Sequence, residues 1–375
     1  MKVPFLDLVS QQNEIADEVL PKWQQLFATS AFIGGQPVDD FESEFAAYCG
    51  VEHAVGVANG TDAIELALRA VGVEVGGEVI LPANTFIATA EAVSRIGAIP
   101  VLVDVDPVHL LIDPDAVVAA ITQRTQAIVP VHLYGQVAPV ERILQLTAGS
   151  GIPVIEDNAQ AQGSSSPVGR AGSLGTIAAT SFYPGKNLGA AGDAGAVTTN
   201  DPELAHIVRS LGAHGSTTKY VHDRIGVNSR LDAIQAVVLS AKLRRLDDWN
   251  ARRRAAAEYY WHLLSTVEGV TAPTPVAGTV PVWHLYVVQV DERERVLTEL
   301  AEHGVSAAIH YPTPLHLTEA YSGLGLGRGS YRIAEDSSDR ILSLPMFPHI
   351  TRAQQEYVVE QLAAAVARSS AGLPV

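Results

Sequence analysis

Cysteine occurs once, at Cys49, so the chain has no internal disulfide framework to hold it together. Charged residues make up only 18% against 47% hydrophobic, a balance too apolar for a disordered chain. Basic residues are scarcer still: 25 Lys and Arg against 41 Asp and Glu leave a net charge of −16. That sign argues against a general binder of nucleic acid or anionic membranes. No apolar run reaches the roughly 18 residues a membrane-spanning helix needs, so no membrane association is expected. In Met1-Lys2-Val3-Pro4-Phe5-Leu6-Asp7 an acid stands where a signal peptide needs its apolar stretch, so a cytoplasmic location is expected. No cluster of His, Cys and acidic side chains has metal-ligand spacing, and no metal is expected. A P-loop and a dinucleotide fingerprint are also missing.

What remains is a chain of 375 residues, enough for two or three domains at about 150 residues each. Short apolar runs at Ala54–Val57, Val79–Leu81, Pro100–Val103, Ala127–Val131 and Ile152–Ile155 alternate with helical patterns. This alternation predicts a mainly parallel sheet covered on both faces. Asp39 with Glu42 has the spacing of a helix cap, Phe41, Phe45 and Tyr48 share one face, and Gly50 is a stop. Asp113-Pro114 opens another helix. Extended runs at Ile177–Phe182 and Gly195–Thr199 flank a glycine-rich loop, and Leu231–Leu264, free of proline and glycine, reads as one long helix or two joined by a kink. Farther on, Trp283–Val290, Ser306–His310 and Ile341–Met346 read as extended, Gly323–Gly329 as a loop, and Thr351 with Gln354 as a capping box. Residues 1–255 are expected to form a large domain and residues 256–375 a smaller α+β domain.

Four features carry chemistry. Lys186 is one of five lysines, and it stands in Tyr183-Pro184-Gly185-Lys186-Asn187-Leu188-Gly189, an unusual backbone path in apolar company. It is either a solvent-facing loop residue or an amine depressed in pKa and ready to form a Schiff base. Glu156-Asp157 follows a buried strand, where paired acids call for a positive group facing one of them. Asp157 either caps the next turn or meets a protonated pyridine nitrogen, and Gln160 either lies in a loop or donates to the same ring. Asn59-Gly60-Thr61-Asp62 sits at a strand-to-helix junction, where free amides and the helix dipole favour an anion; the Ser181 hydroxyl can join them. Phe86, just after a strand end, is either core or a ring to stack on a flat ligand. An amine for an aldehyde, a carboxylate for a ring nitrogen, amides for a phosphate and a ring for stacking together describe a site for pyridoxal 5′-phosphate.

Over essentially its whole length the chain resembles the DegT/DnrJ/EryC1/StrS family of pyridoxal-phosphate-dependent nucleotide-sugar aminotransferases. The resemblance rests on Val3–Leu8, Asn59–Ala63, Pro82–Phe86, Val131–Gly135, Glu156–Gln160, the Lys186 loop and Gly226–Asp232. It implies the aspartate aminotransferase-like fold (fold type I) and assigns roles residue by residue. Lys186 would join the cofactor's aldehyde and shuttle the proton, and Asp157 would hold the ring nitrogen protonated. Gln160 would contact the ring oxygen, with Phe86 stacked on the ring. Gly60, Thr61 and Ser181 would hold the phosphate, with Asn228 reaching it from a second subunit, which implies a homodimer with shared sites. Tyr183, Lys219, Arg230, His310 and His316 would face the sugar nucleotide or the amino donor.

The lysine argues against the family branch that carries histidine there and dehydrates its substrate. The loop ending Gly192-Asp193-Ala194-Gly195 resembles enzymes that aminate the C3 ketone of dTDP-3-keto-6-deoxyhexoses, with L-glutamate as donor and 2-oxoglutarate as product. A C4-keto sugar or amino-cyclitol aminotransferase is the alternative on the same fold. Regulators on this scaffold carry an appended DNA-binding domain, for which the first fifty residues leave no room.

Overall fold

The alternation of apolar strands and amphipathic helices becomes, in a computed structural model that describes residues 1–370, a sheet sandwiched between helices. Helices α1 (Leu8–Asn13), α2 (Ala16–Thr29) and α3 (Gln36–Cys49) precede β1 (His53–Val57). Then come α4 (Gly60–Ala70), β2 (Glu78–Pro82), α5 (Ile87–Arg95), β3 (Ile99–Val103), α6 (Pro114–Ala120), β4 (Thr125–Ile128), α7 (Val140–Leu146) and β5 (Ile155–Asp157). A small hairpin of β6 (Ser165–Ser166) and β7 (Gly169–Arg170) leads to β8 (Ile177–Ser181), β9 (Gly195–Thr199) and α8 (Pro202–Gly212). An exposed hairpin, β10 (Ser216–Thr218) and β11 (Val221–His222), precedes α9 (Ala233–Leu264). The C-terminal part holds β12 (Val270–Thr271), β13 (Tyr286–Val290), α10 (Arg293–Glu302), α11 (Arg332–Arg340), β14 (Ile341–Leu344) and α12 (Arg352–Ser370).

The strands order as β3-β2-β4 and β5-β8-β9-β1, and parallel bridges from Ile128 to Val154 and from Val131 to Asp157 join the two sets. β9 alone runs against its neighbours β1 and β8. Side chains along β2 alternate between the faces: Val79 and Leu81 pack with Leu66 and Val93 of α4 and α5, while Ile80 packs with Val117 and Ile143 of α6 and α7. This two-sided burial fixes the register, since a slip of one residue would exchange the faces.

Two packing contacts determine where the later chemistry sits. Phe41 and Phe45 of α3 hold the ring of Phe182 edge-on, with centroids 5.4 and 5.2 Å away, and so anchor the base of the loop that carries Lys186. α9 is one uninterrupted helix. Its first half packs with α3 through Val238 and Leu246, and its second half packs with β13 and α12 through Tyr260 and Leu264. Position 255, the boundary expected between domains, lies inside it.

The caps at Asp113 and Thr351 form as expected, the latter with Gln354 reaching back to the Thr351 amide. Asp39 does not cap α3. Gly35 holds that position, because Pro37 in the first turn starts the helix four residues earlier than Asp39 implied. Trp283, expected to begin a strand, has φ +46° and turns the chain, so β13 begins at Tyr286. The stretch expected to be extended at Ser306–His310 makes one bridge, Ala308 to Ser343, instead of a strand. Helices α8 and α11 were not anticipated.

Candidate active site

The carboxyl ends of β5 and β8 and the amino end of α4 open onto one cleft of about 640 Å³. Lys186, Asp157, Gly60, Thr61, Ser181, Phe86, Gln160, Tyr183 and His310 all line it. A cleft at the carboxyl ends of parallel strands is where α/β sheets bind ligands.

The two acids after β5 divide their labour. Glu156 is wholly buried and turned away from the cleft: its carboxylate accepts from the amides of Gly172, Leu174 and Gly175 at 2.7–2.9 Å. Nδ1 of His132 accepts from the Ala138 amide, so Nε2 carries the proton and donates to Glu156 at 2.8 Å. Glu156 therefore fixes the turn after β7 and leaves its neighbour free for chemistry. Truncating Glu156→Ala orphans four donors, two of them fully buried, and is expected to cost about 3 kcal/mol or more. A thermal melt of the purified variant checks this; a midpoint within a degree of the parent would contradict it.

Asp157 points into the cleft. Thr89 Oγ1 of α5 donates to one oxygen at 2.8 Å and the Ala159 amide to the other at 3.1 Å. Burial raises its pKa, opposed by those two hydrogen bonds and by the charge of Lys186. A carboxylate so desolvated gains most from a cationic partner. Lys186, half-buried on the loop after β8, is held by its amide to the Tyr183 carbonyl at 2.8 Å. Burial lowers its amine to about 8, and Asp157 opposes that shift. The loop lysine is thus a partly deprotonated nucleophile facing the acid.

At the other end of the cleft Asn59 caps α4, accepting from the Asp62 amide at 2.8 Å. Among the described residues no acceptor takes the amides of Gly60 and Thr61, so the helix start is free to hold an anion. A Cβ at Gly60 would lie 2.5 Å from that of Ser181, so only glycine lets the helix start come this close to the hydroxyl. Phe86 stands 51% exposed over the cleft, its ring tilted against Tyr311 with centroids 5.3 Å apart. Gln160 accepts from the Tyr134 amide at 2.7 Å and donates to the Tyr311 hydroxyl at 3.0 Å. An acid, an amine, free amides and an exposed ring in one cleft fit pyridoxal 5′-phosphate.

Not every expected site residue is there. His316 is 1% exposed, donates through its ring to Glu335 at 2.8 Å and packs edge-on to Tyr331, so it is a core residue that does not line the cleft. Lys219 lies at the tip of the β10–β11 hairpin against Tyr220, and Asn228 and Arg230 are exposed on the chain entering α9; none of the three lines the cleft within this chain. His310 does line it, anchored to Ser343 Oγ at 2.9 Å, with burial and Lys186 lowering its pKa to about 4. Sequence reasoning missed Thr89 and His284. Thr89 follows Phe86 by three residues, which is one helical turn, and that spacing was the available signal.

The DegT/DnrJ/EryC1/StrS aminotransferase family pattern matches residues 13–363. Among curated proteins, the Saccharopolyspora erythraea protein called erythromycin biosynthesis sensory transduction protein EryC1 is 46% identical, covering 97% of this chain and all of its own. The dTDP-3-amino-3,4,6-trideoxy-alpha-D-glucose transaminase of Streptomyces venezuelae is 44% identical over 96% of this chain and 95% of its own. A UDP-N-acetyl-3-dehydro-alpha-D-glucosamine 3-aminotransferase of Acidithiobacillus ferrooxidans is 43% identical over 94% and 95%. The crystal structure of S. venezuelae DesV in complex with a ketimine intermediate superposes with a TM-score of 0.94 at 43% identity, covering 100% of both chains. The architecture is accordingly fold type I. The family pattern spans residues 13–363 and relatives at 43–46% identity cover nearly the whole chain, so the chain belongs to the DegT/DnrJ/EryC1/StrS aminotransferase family.

Proposed function

We propose that this enzyme transfers the amino group of L-glutamate to the C3 ketone of a dTDP-3-keto-6-deoxyhexose, for deoxyamino-sugar biosynthesis of the antibiotic type. The observation that carries the transfer chemistry is Lys186 and Asp157 facing one cleft, an amine lowered to about 8 beside a buried carboxylate. Pyridoxal 5′-phosphate, when bound, supplies the electron sink that makes the α-proton of glutamate acidic. Asp157 holds the ring nitrogen protonated; Thr89 and the Ala159 amide orient that carboxylate. The amides of Gly60 and Thr61, with Ser181, hold the phosphate. Phe86 would cover the ring, and Gln160, fixed by Tyr134 and Tyr311, would have one N–H left for the ring oxygen. Lys186 would be the residue that holds the aldehyde, and its amine, when free, would take the α-proton of glutamate and hold it for return. With a keto sugar in place of the oxo acid, the same amine moves the proton back.

The sugar side is formed by Tyr183, 60% exposed, and His310. A second copy of the chain completes the site: Asn228 reaches the phosphate across the interface, with Arg230 and Lys219 near the pyrophosphate or the donor carboxylates. Exposed apolar residues on and beside the β10–β11 hairpin, Tyr220, Val221 and Ile225, support such an interface.

Three sugars discriminate the substrate. Holoenzyme with excess glutamate is expected to aminate a 3-keto dTDP-6-deoxyhexose with kcat/KM at least about 100-fold above that for the 4-keto isomer, because a misplaced reacting carbon loses near-attack geometry. Preference for the 4-keto isomer would overturn the C3 assignment. Preference for a 3-keto UDP sugar would overturn the dTDP assignment alone.

A further inference from the structure

On one of its faces α9 meets the chain that follows Lys186 at three points. Gln235, Lys242 and Asn250 stand seven and eight residues apart, about two helical turns each, and so share that face. Their partners are every second residue of the loop, in reverse order. The Ala191 amide donates to Gln235 Oε1 at 2.8 Å, the Lys242 amine donates to the Gly189 carbonyl at 2.7 Å, and Asn187 Nδ2 donates to Asn250 Oδ1 at 2.9 Å. The Asn250 amide is fixed in this sense because its Nδ2 donates to the Gln162 carbonyl, and Gln162 donates in turn to that of Ser181.

The loop also closes on itself. The Ala190 amide donates to the Phe182 carbonyl at 2.8 Å and the Lys186 amide to that of Tyr183. A Cβ at Gly189 would lie 2.3 Å from the Pro184 carbonyl oxygen, so only glycine lets the chain fold back this tightly. Lys186 stands inside that closed loop, and a shift at Gly189 is passed to it with little slack.

Lys242 is the unusual member of the three. Its side chain is 1% exposed, and burial alone lowers its amine, with no carboxylate opposing. The Gly189 carbonyl is its one acceptor among the described residues. A buried amine without a counter-charge costs stability that a methionine of similar length would not. Core packing therefore gives no reason for a lysine here, whereas the bond to Gly189 does.

We propose that Lys242 is a positioning residue for Lys186: from α9 it holds the Gly189 carbonyl, with Gln235 and Asn250 holding the chain on either side, and so keeps the closed loop and its lysine facing Asp157. The inference rests on the aminotransferase reading of Lys186. Since the second half of α9 packs with β13 and α12, the same helix ties the loop to the C-terminal part of the chain.

Lys242→Met keeps the length and apolar body of the side chain and removes the donor. The orphaned carbonyl and the removed buried amine act on stability with opposite signs, so the melting midpoint should stay within about 3 °C of the parent. With holoenzyme and glutamate in a single turnover, the limiting rate of the absorbance change should fall at least about tenfold while glutamate affinity holds within about twofold. In protein freed of cofactor, hydrogen exchange over residues 183–192 should quicken at least about tenfold and stay as in the parent over β8 and α9. Gln235→Leu, at a half-buried position, should shift rate and exchange in the same direction, and Gln235→Glu, which keeps an acceptor oxygen, should restore both. A parent-like rate and loop exchange in Lys242→Met would overturn the proposal. So would a much lower melting midpoint with exchange raised along the whole chain, which marks a structural role alone. Should Lys242→Met fail to fold, Gln235→Leu decides: a parent-like rate there, or no recovery in Gln235→Glu, overturns it. If the parent gives no absorbance change with glutamate, the reading of Lys186 fails and the proposal falls with it, whatever the loop exchange shows.

Discussion

Lys186→Ala is expected to lower amino transfer by about 10³-fold or more, because the side chain proposed both to remove and to return the α-proton is gone. Cofactor affinity should fall less, since the amides at the start of α4, Ser181, Asp157 and Phe86 remain. Lys186→Arg should not recover the rate: a guanidinium keeps its proton at any working pH. The parent amine, lowered to about 8 by burial, loses its nucleophilic form about tenfold per pH unit below that value. Capture of the aldehyde by cofactor-free protein should therefore slow as pH falls from 8 to 6 and level off above 9. Rapid-mixing absorbance at a series of pH values reads this directly. Turnover within tenfold of the parent in Lys186→Ala would remove the lysine from the chemistry.

The second large effect is expected at Asp157. Asp157→Asn keeps the shape and the hydrogen bond from Thr89 but removes the charge proposed to meet the ring nitrogen. Breaking one side of a buried charged pair costs about 3–5 kcal/mol, so kcat should fall by about 10²–10³-fold or more. The sign of a second effect is also fixed. Asp157 raises the pKa of Lys186 against the lowering by burial, so neutralising it should move the lysine midpoint below 8. A midpoint that rises in Asp157→Asn would contradict the shared cleft. Thr89→Val should produce a milder version of the rate loss, as Asp157 loses one of its two oriented donors.

The sheet and the chemistry that ends its strands were legible because both follow from local pattern. Apolar runs such as Val79-Ile80-Leu81 are readable as doubly buried strands, and a cap such as Asp113-Pro114 is a two-residue signal. Lys186 and Asp157 stood out by residue type at strand ends. Contacts that depend on the path of distant segments were not legible. Nothing near His316 foretold that Glu335, on a helix that sequence reading did not see, would bury it. Trp283 reads as the start of a strand because its neighbours are apolar; its left-handed turn follows from the approach of Gly135, 148 positions earlier. Asn228, Arg230 and Lys219 lie outside the cleft of a single chain, and only a second copy would give them the role that the resemblance implied.

The central claim is that Lys186 is the amine that bonds to the cofactor, and Lys242 is its natural competitor. Lys242 is fully buried, is likewise lowered to about 8, and lies beneath the same loop, its amine donating to the Gly189 carbonyl at 2.7 Å. Borohydride reduction of the holoenzyme followed by peptide mass mapping distinguishes the two. The expected result is a single phosphopyridoxyl label on the peptide containing Lys186. A label on Lys242 or any other lysine, or none at all, would contradict it.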